Sequence, residues 1–299
     1  MEQKRISLRY SLLLFGAAVI WGVAFVAQSV GMDYMGPFTF NGVRFLIGGI
    51  VLLPVIRYRE RKREEKGKEA GAAGRKELLR GGVCCGAVLC AASLLQQIGI
   101  QYTTVGKAGF LTTLYIIIVP VCGIFLHKKI GARVWTGAVI AVAGMYLLCI
   151  SGGFTVGRGD GYVLLCALVF SGHILVVDYF SPKTDSVKLS CLQFLTSGII
   201  CTVLALILEK PGIDALLAGW MPILYAGVFS CGVAYTLQVV GQKKVEPTVA
   251  SLILSMESVV SVLAGWVILG QKLSARELCG CVLVFFAVIL VQIPGKDVP

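Results

Sequence analysis

Apolar residues fall along this chain in ten long blocks separated by short polar or basic segments, near 8–30, 36–56, 79–100, 107–126, 134–151, 160–179, 187–208, 217–240, 247–269 and 276–293. Each block is of the order needed to cross a bilayer, about 20 mostly apolar residues. The pattern predicts an all-α membrane protein with ten transmembrane helices. Leu8 to Val30, behind Lys4, Arg5 and Arg9, is too long for the apolar core of a secretory signal and reads as a retained helix.

Composition agrees. The chain is 57% hydrophobic and 14% charged, against about 25% charged in soluble domains, so a water-soluble fold could not hide its apolar surface. A net charge of +11 invites a nucleic-acid reading, yet the basic residues lie between the spans. With the N-terminus inside, 21 of the 27 Lys and Arg are cytoplasmic, ten of them from Arg57 to Arg80, and 5 face outward (Lys107, Arg158, Lys210, Lys272, Arg276). This asymmetry predicts both termini in the cytoplasm of a plasma membrane of bacterial inner-membrane type, a lipid partner and no nucleic acid. The segment from Arg57 to Arg80 reads as a solvated loop that fixes topology.

The eleven cysteines all lie within the apolar blocks and no Cys-x-x-Cys occurs. Cys279 and Cys281 stand about 200° apart around a helix and cannot grip one metal from one face. Neither a metal site nor a disulfide framework is expected, and no cofactor.

An internal repeat organises the chain. Lys129-Ile-Gly-Ala-Arg133 followed by Gly137 recurs as Lys272-Leu-Ser-Ala-Arg276 followed by Gly280, an offset of 272 − 129 = 143. Gln96, Gly99 and Ala108 align with Gln238, Gly241 and Ala250 at 142, and Arg44-Phe45-Leu46 with Gln193-Phe194-Leu195 at 149. Five spans per copy is an odd number, so the second copy enters the membrane upside down. Inverted halves of this kind are common in secondary transporters, with substrate near the midplane between them.

Several segments carry a family resemblance: Ile20-Trp21-Gly22; Gly36-Pro37-Phe38-Thr39-Phe40-Asn41 with Arg44-Phe45; Gln96-Gln97-Ile98-Gly99 with Gln101-Tyr102-Thr103-Thr104; Lys107-Ala108-Gly109-Phe110 with Tyr115 and Pro120; Gly159-Asp160; and Ser251-Leu-Ile-Leu-Ser255-Met-Glu257. Together the chain resembles EamA-type members of the drug/metabolite transporter superfamily, with residues 1–150 and 151–299 as the two repeats. Two positions depart: Glu257-Ser258 stands where the family has Glu-Pro, and Gln271 where an acid is usual. The resemblance implies a basket of helices one to four and six to nine around the substrate path, five and ten at the periphery, and export of amino acids or related metabolites.

Polar residues at membrane depth are the candidates for transport chemistry, because each costs free energy and tends to face a cavity or a partner. Glu257 costs about 2.5 to 3.5 kcal/mol at a helix centre if ionised, so it should be protonated, paired or wet. It is read either as a substrate or proton site or as an interhelical hydrogen-bond partner. Arg44 cannot shuttle protons and is read as a helix-fixing structural charge, with a substrate carboxylate as the other reading. His173 is a proton relay or a satisfied partner. Stripes at helical spacing add Trp21 and Gln28, then Ser93, Gln97 and Gln101, then Cys231, Tyr235, Gln238 and Gln242. Tyr115 precedes Pro120, where a missing donor predicts a bend. Ser251, Ser255, Ser258 and Gly265 form a small stripe on helix nine, as Gly137, Ala141 and Gly144 do on helix five.

The expected substrate-binding set is thus Trp21, Gln28, Gln97, Tyr115, His173, Tyr235, Gln238 and Glu257, with Glu257 and His173 the proton-coupling candidates. The function expected is a secondary transporter of a small metabolite working by alternating access, with a passive channel or facilitator as the alternative. An intramembrane enzyme finds little support. Gly157-Arg-Gly159-Asp160 matches the Gly-x-Gly-Asp of membrane aspartyl proteases, but no second acid lies opposite Asp160. No nucleotide-binding loop occurs, so ATP hydrolysis is not expected.

Overall fold

The computed structural model describes residues 2–64, 72–103, 105–125, 130–149, 157–269 and 274–292, and these contain helices, turns and no strand. Ten helical spans follow in order: Glu2–Gly31, Pro37–Glu64, Ala72–Ile100, a fourth in two pieces (Val105–Thr113 and Tyr115–Phe125), Ala132–Cys149, Arg158–Phe180, Ser186–Leu208, an eighth in three pieces (Trp220–Leu224, Tyr225–Tyr235, Thr236–Gly241), a ninth in two (Pro247–Leu254, Met256–Leu269) and Ala275–Gln292. Spans 1 to 4 and 6 to 9 make 8 helices long and apolar enough to cross a membrane, and span 5 is a shorter apolar helix. Span 10 packs along span 5, each of 18 residues.

Helix reaches into both ends of the segment from Arg57 to Arg80 expected as a loop, and residues 65–71 lie outside the described residues. Span 2 runs on to Glu64 and span 3 begins at Ala72, because Arg, Lys, Glu and Ala are strong helix formers once the chain leaves the apolar layer. Gln101 also leaves its stripe: span 3 ends at Ile100 and Gln101 is exposed in the following turn. Thr104, Lys129, Gln271, Lys272 and the boundary at 150/151 lie outside the described residues.

Inversion of the repeat is visible in reciprocal contacts. A Cβ placed on Gly49 would lie 2.9 Å from Leu195 Cδ2, and one on Gly198 would lie 2.9 Å from Leu46 Cδ2. Adding the offset of 149 to Gly49 and Leu46 gives Gly198 and Leu195, so the two contacts exchange under the repeat. Spans 2 and 7 therefore cross on a two-fold axis, and only hydrogen at these positions allows so close an approach. Spans 5 and 10 do the same: Gly137 approaches the carbonyl of Ala287 and Gly144 that of Gly280, a pair that exchanges at an offset of 143.

Both ends of the span 2 and span 7 crossing are tied. At one, Lys188 pairs with Glu60 and Asp185 caps span 7 through the amides of Val187 and Lys188. At the other, Glu209 accepts from the amides of Phe38 and Thr39 at 2.9 and 2.7 Å and from Thr39 Oγ1 at 2.6 Å, satisfying donors that a helix start leaves open. Glu60 and Glu209 are themselves 149 apart. Around this frame, Leu165, Leu168, Ile199, Val203, Leu206, Val267 and Val282 are exposed, an apolar outer surface suited to lipid tails and not to water.

Candidate functional site

Spans 4 and 9, equivalent in the repeat, are both interrupted at mid-depth, at Leu114 and Ser255. Hydroxyls explain the breaks. Thr113 Oγ1 bonds back to the carbonyls of Gly109 and Phe110 at 2.9 and 3.0 Å. Ser251, Ser255, Ser258 and Ser261 each bond the carbonyl three residues earlier, at 2.7 to 2.8 Å. Such back-bonding competes with the helical ladder and bends it. The break in span 4 thus lies before Tyr115, while Pro120, where a bend was expected, stays inside the helix Tyr115–Phe125.

Tyr115 follows the first break directly and Glu257 lies two residues past the second, and Tyr115 Oη donates to Glu257 Oε1 at 3.0 Å. They are 142 residues apart, the same offset that aligns Ala108 with Ala250, so the pair occupies one repeat position twice and meets on the two-fold axis. Both line a small cavity of about 40 Å³. The lining keeps the same symmetry. Gln96 faces it with Gln238 and Thr112 with Leu254, each pair 142 apart, and Trp21 with Phe170 and Phe25 with Ile174, each 149 apart.

Of the eight residues expected from the sequence to bind substrate, Trp21, Gln28, Tyr115, His173, Tyr235, Gln238 and Glu257 come together here. Gln97 stands apart from the lining: its Nε2 donates to the carbonyl of Gln28 at 3.0 Å and ties span 3 to span 1. Spans 1 to 4, 6, 8 and 9 supply the walls. Span 7 acts one layer behind, through Gln193 Oε1, which lies 3.2 Å from His173 Nε2. With Nε2 as the donor, the neutral imidazole carries its free acceptor on Nδ1, which has no protein partner. Spans 5 and 10 contribute no wall, as the resemblance implied.

Aromatic side chains build one side. Span 8 winds as a wide π-helix over Tyr225–Tyr235, a rare form that is frequent at functional sites. Trp21 Nε1 donates to the Ser230 carbonyl within it at 3.2 Å, and the Trp21 and Tyr235 rings meet edge to face at 4.5 Å. Tyr235 continues to Phe194 at 5.8 Å, and Phe194 stacks on Phe45 at 6.2 Å. Arg44, missed as a wall residue by its reading as a structural charge, closes the series with its guanidinium carbon 4.9 Å from the Phe45 ring centre and 5.6 Å from that of Phe40.

The far end of the bundle is held by Asp160. Its carboxylate accepts from Lys107 Nζ at 2.6 Å, Thr103 Oγ1 at 2.7 Å and the Gly157 amide at 2.6 Å, joining span 4 of the first half to span 6 of the second. Asp160 is 1% exposed and Lys107 17%. This charge works as a clasp between the two halves.

Comparison with known proteins agrees with the architecture. A family model described as the EamA-like transporter family matches residues 8–150 and again 157–293. An uncharacterized transporter of Archaeoglobus fulgidus is 28% identical over 92% of this chain and 83% of its own. The uncharacterized inner membrane transporter YedA of Escherichia coli is 26% identical over 95% of this chain and 90% of its own. A crystal structure at 18% identity covers 95% of this chain and 96% of its own with a TM-score of 0.76, which shows the shared fold. With a family match over both halves of an inverted bundle, this chain belongs to the EamA-like transporter family of membrane transporters.

Proposed function

We propose that the protein is a secondary carrier that moves a small metabolite by alternating access, with export of amino acids or related compounds as the direction and cargo the family resemblance favours. The observation that carries this reading is the cavity on the two-fold axis, where ten of the fifteen lining residues pair off between the halves. A rocking motion about that axis exposes the same side chains to either face, which a static pore does not require. Trp21, Phe170 and Tyr235 offer apolar walls, and Gln28, Gln96, Gln238, His173 and Glu257 offer polar groups to orient a bound molecule. Gln97 serves by fixing Gln28. Glu257 and His173 are the groups able to take up a proton during turnover. The termini lie in the cytoplasm of a bacterial-type inner membrane, with the Lys107 and Asp160 mouth outward, as the Lys and Arg asymmetry indicates.

The test is efflux from proteoliposomes loaded with a mixed pool of amino acids and small metabolites, followed by mass spectrometry with and without a pH gradient, for the wild type and Glu257→Gln. Selective, saturable loss of one class, abolished by the substitution, is expected. Transport by Glu257→Gln that is unchanged across pH removes Glu257 from the mechanism.

A further inference from the structure

Arg44 is among the largest fully buried side chains of the protein, 2% exposed, and it lines the cavity. Its charge is permanent, since a guanidinium does not lose its proton in proteins. A buried charge is ordinarily met by a counter-charge or a full set of hydrogen bonds. Neither is present here. Among the described residues no carboxylate lies within ion-pair distance of Arg44, and Nε has no hydrogen-bond partner. What holds the group are the ring faces of Phe40 and Phe45, which position a guanidinium without using its N–H donors.

A helix-fixing residue would spend those donors on carbonyls or an acid. Glu257, the one acid in the cavity wall, is already engaged by Tyr115. The repeat makes the same point: the position equivalent to Arg44 is Gln193, a neutral side chain that supports His173, so the fold does not demand a cation at this place. The acceptors on Gln28 and Gln238 and the open Nδ1 of His173 have no protein partner and suit a donor group elsewhere on a ligand, leaving the guanidinium for an anion.

We infer that Arg44 is the anion anchor of the cavity and that the transported molecule carries a carboxylate, received by the donors the protein leaves unused. This rests on the cavity being the transport site. Guanidinium and carboxylate match in charge and in planar geometry, and the match strengthens where water is excluded. The aromatic walls beside Arg44 then receive the molecule's apolar portion.

A direct binding measurement tests this without transport. Trp21, retained as the sole tryptophan by replacing the other three with Phe, reports by its fluorescence on a panel of small organic carboxylates, aliphatic and aromatic, each titrated beside its primary amide. For at least one pair the acid should bind the otherwise wild-type protein 10-fold or more tightly than the amide. Arg44→Gln should bring acid and amide to within about 2-fold, and Arg44→Lys should keep part of the preference. Acid and amide binding equally to the otherwise wild-type protein, or a preference that survives Arg44→Gln, overturns the anchor. Because the first comparison needs no substitution at Arg44, it holds even if that variant does not fold. No response from any acid or amide overturns the proposal and counts against the cavity as a binding site, whereas binding without preference overturns the anchor alone.

Discussion

Replacing Asp160 by Asn should open the mouth at which Lys107 and Asp160 meet. The substitution keeps shape and one acceptor oxygen but removes the charge that draws Lys107 Nζ to 2.6 Å, and it sets an NH2 group against one of the donors now satisfied. Hydrogen bonds to charged groups contribute about 1.5 to 3 kcal/mol and neutral ones about 0.5 to 1.5. Lys107, 17% exposed, can turn toward water, so the larger cost of stranding a deeply buried charge does not apply. The net loss is about 2 kcal/mol, a shift of about 30-fold toward the state open at this mouth. A cysteine at Ser230 in the cavity wall, in a background without the eleven native cysteines, reports that opening through its labelling by an impermeant thiol reagent outside intact cells. Labelling should accelerate by about 10-fold or more in Asp160→Asn. Lys107→Met should do likewise, and the double variant should add little to either, since both remove one contact. An unchanged rate in Asp160→Asn refutes the clasp, provided that Tyr102→Cys, exposed at the same mouth, labels readily.

Other consequences follow from the packing. Gly198→Leu forces a side chain into Leu46 where spans 2 and 7 cross, and should cost at least the 1 to 3 kcal/mol typical of overpacking, seen as a lower melting temperature in detergent; an unchanged melting curve contradicts the crossing. Cys90 and Cys201 bring their sulfurs to 3.3 Å between spans 3 and 7, so in a protein retaining only these two, oxidation should hold together fragments produced by a protease site inserted near residue 152. Fragments that separate on a non-reducing gel would place those spans apart. Tyr115→Phe deletes the donor to Glu257 and should lower stability by about 0.5 to 1.5 kcal/mol while changing the pH profile of transport; an unaltered profile denies the pair a part in turnover.

Much of this architecture is legible in the chain because the bilayer allows one solution for long apolar blocks, and an odd number of spans per repeat fixes the inversion. The internal offsets held more than they were asked for. The offset of 142 that matches Gln96 to Gln238 also carries Tyr115 onto Glu257 and Thr112 onto Leu254, and 149 carries Trp21 onto Phe170 and Phe25 onto Ile174, so five of the wall residues could have been found from their partners in the other half. Phe25, Phe170, Ile174 and Leu254 escaped notice because apolar residues at membrane depth give no contrast with those that face lipid. Arg44 was visible as a deep charge, but only the absence of an acid beside it separates a cavity residue from a structural pair. The helix breaks at Leu114 and Ser255 arise from hydroxyls bonding to their own backbone, a local competition that the apolar pattern does not register. The basic segment from Arg57 to Glu64 follows the same lesson in reverse, since its residues favour helix wherever a preceding helix is already formed.

The central claim, that one cavity on the two-fold axis serves each side of the membrane in turn, is tested most directly by exchange. Proteoliposomes would be loaded with a cargo identified by efflux, and uptake of the isotope-labelled cargo followed with and without unlabelled cargo inside. Alternating access predicts faster labelled uptake when the inside is loaded, saturating with concentration, because a loaded carrier returns its site to the outer face with each cargo it delivers. Uptake that rises linearly with concentration and ignores the internal pool would show a continuous pore and contradict the account.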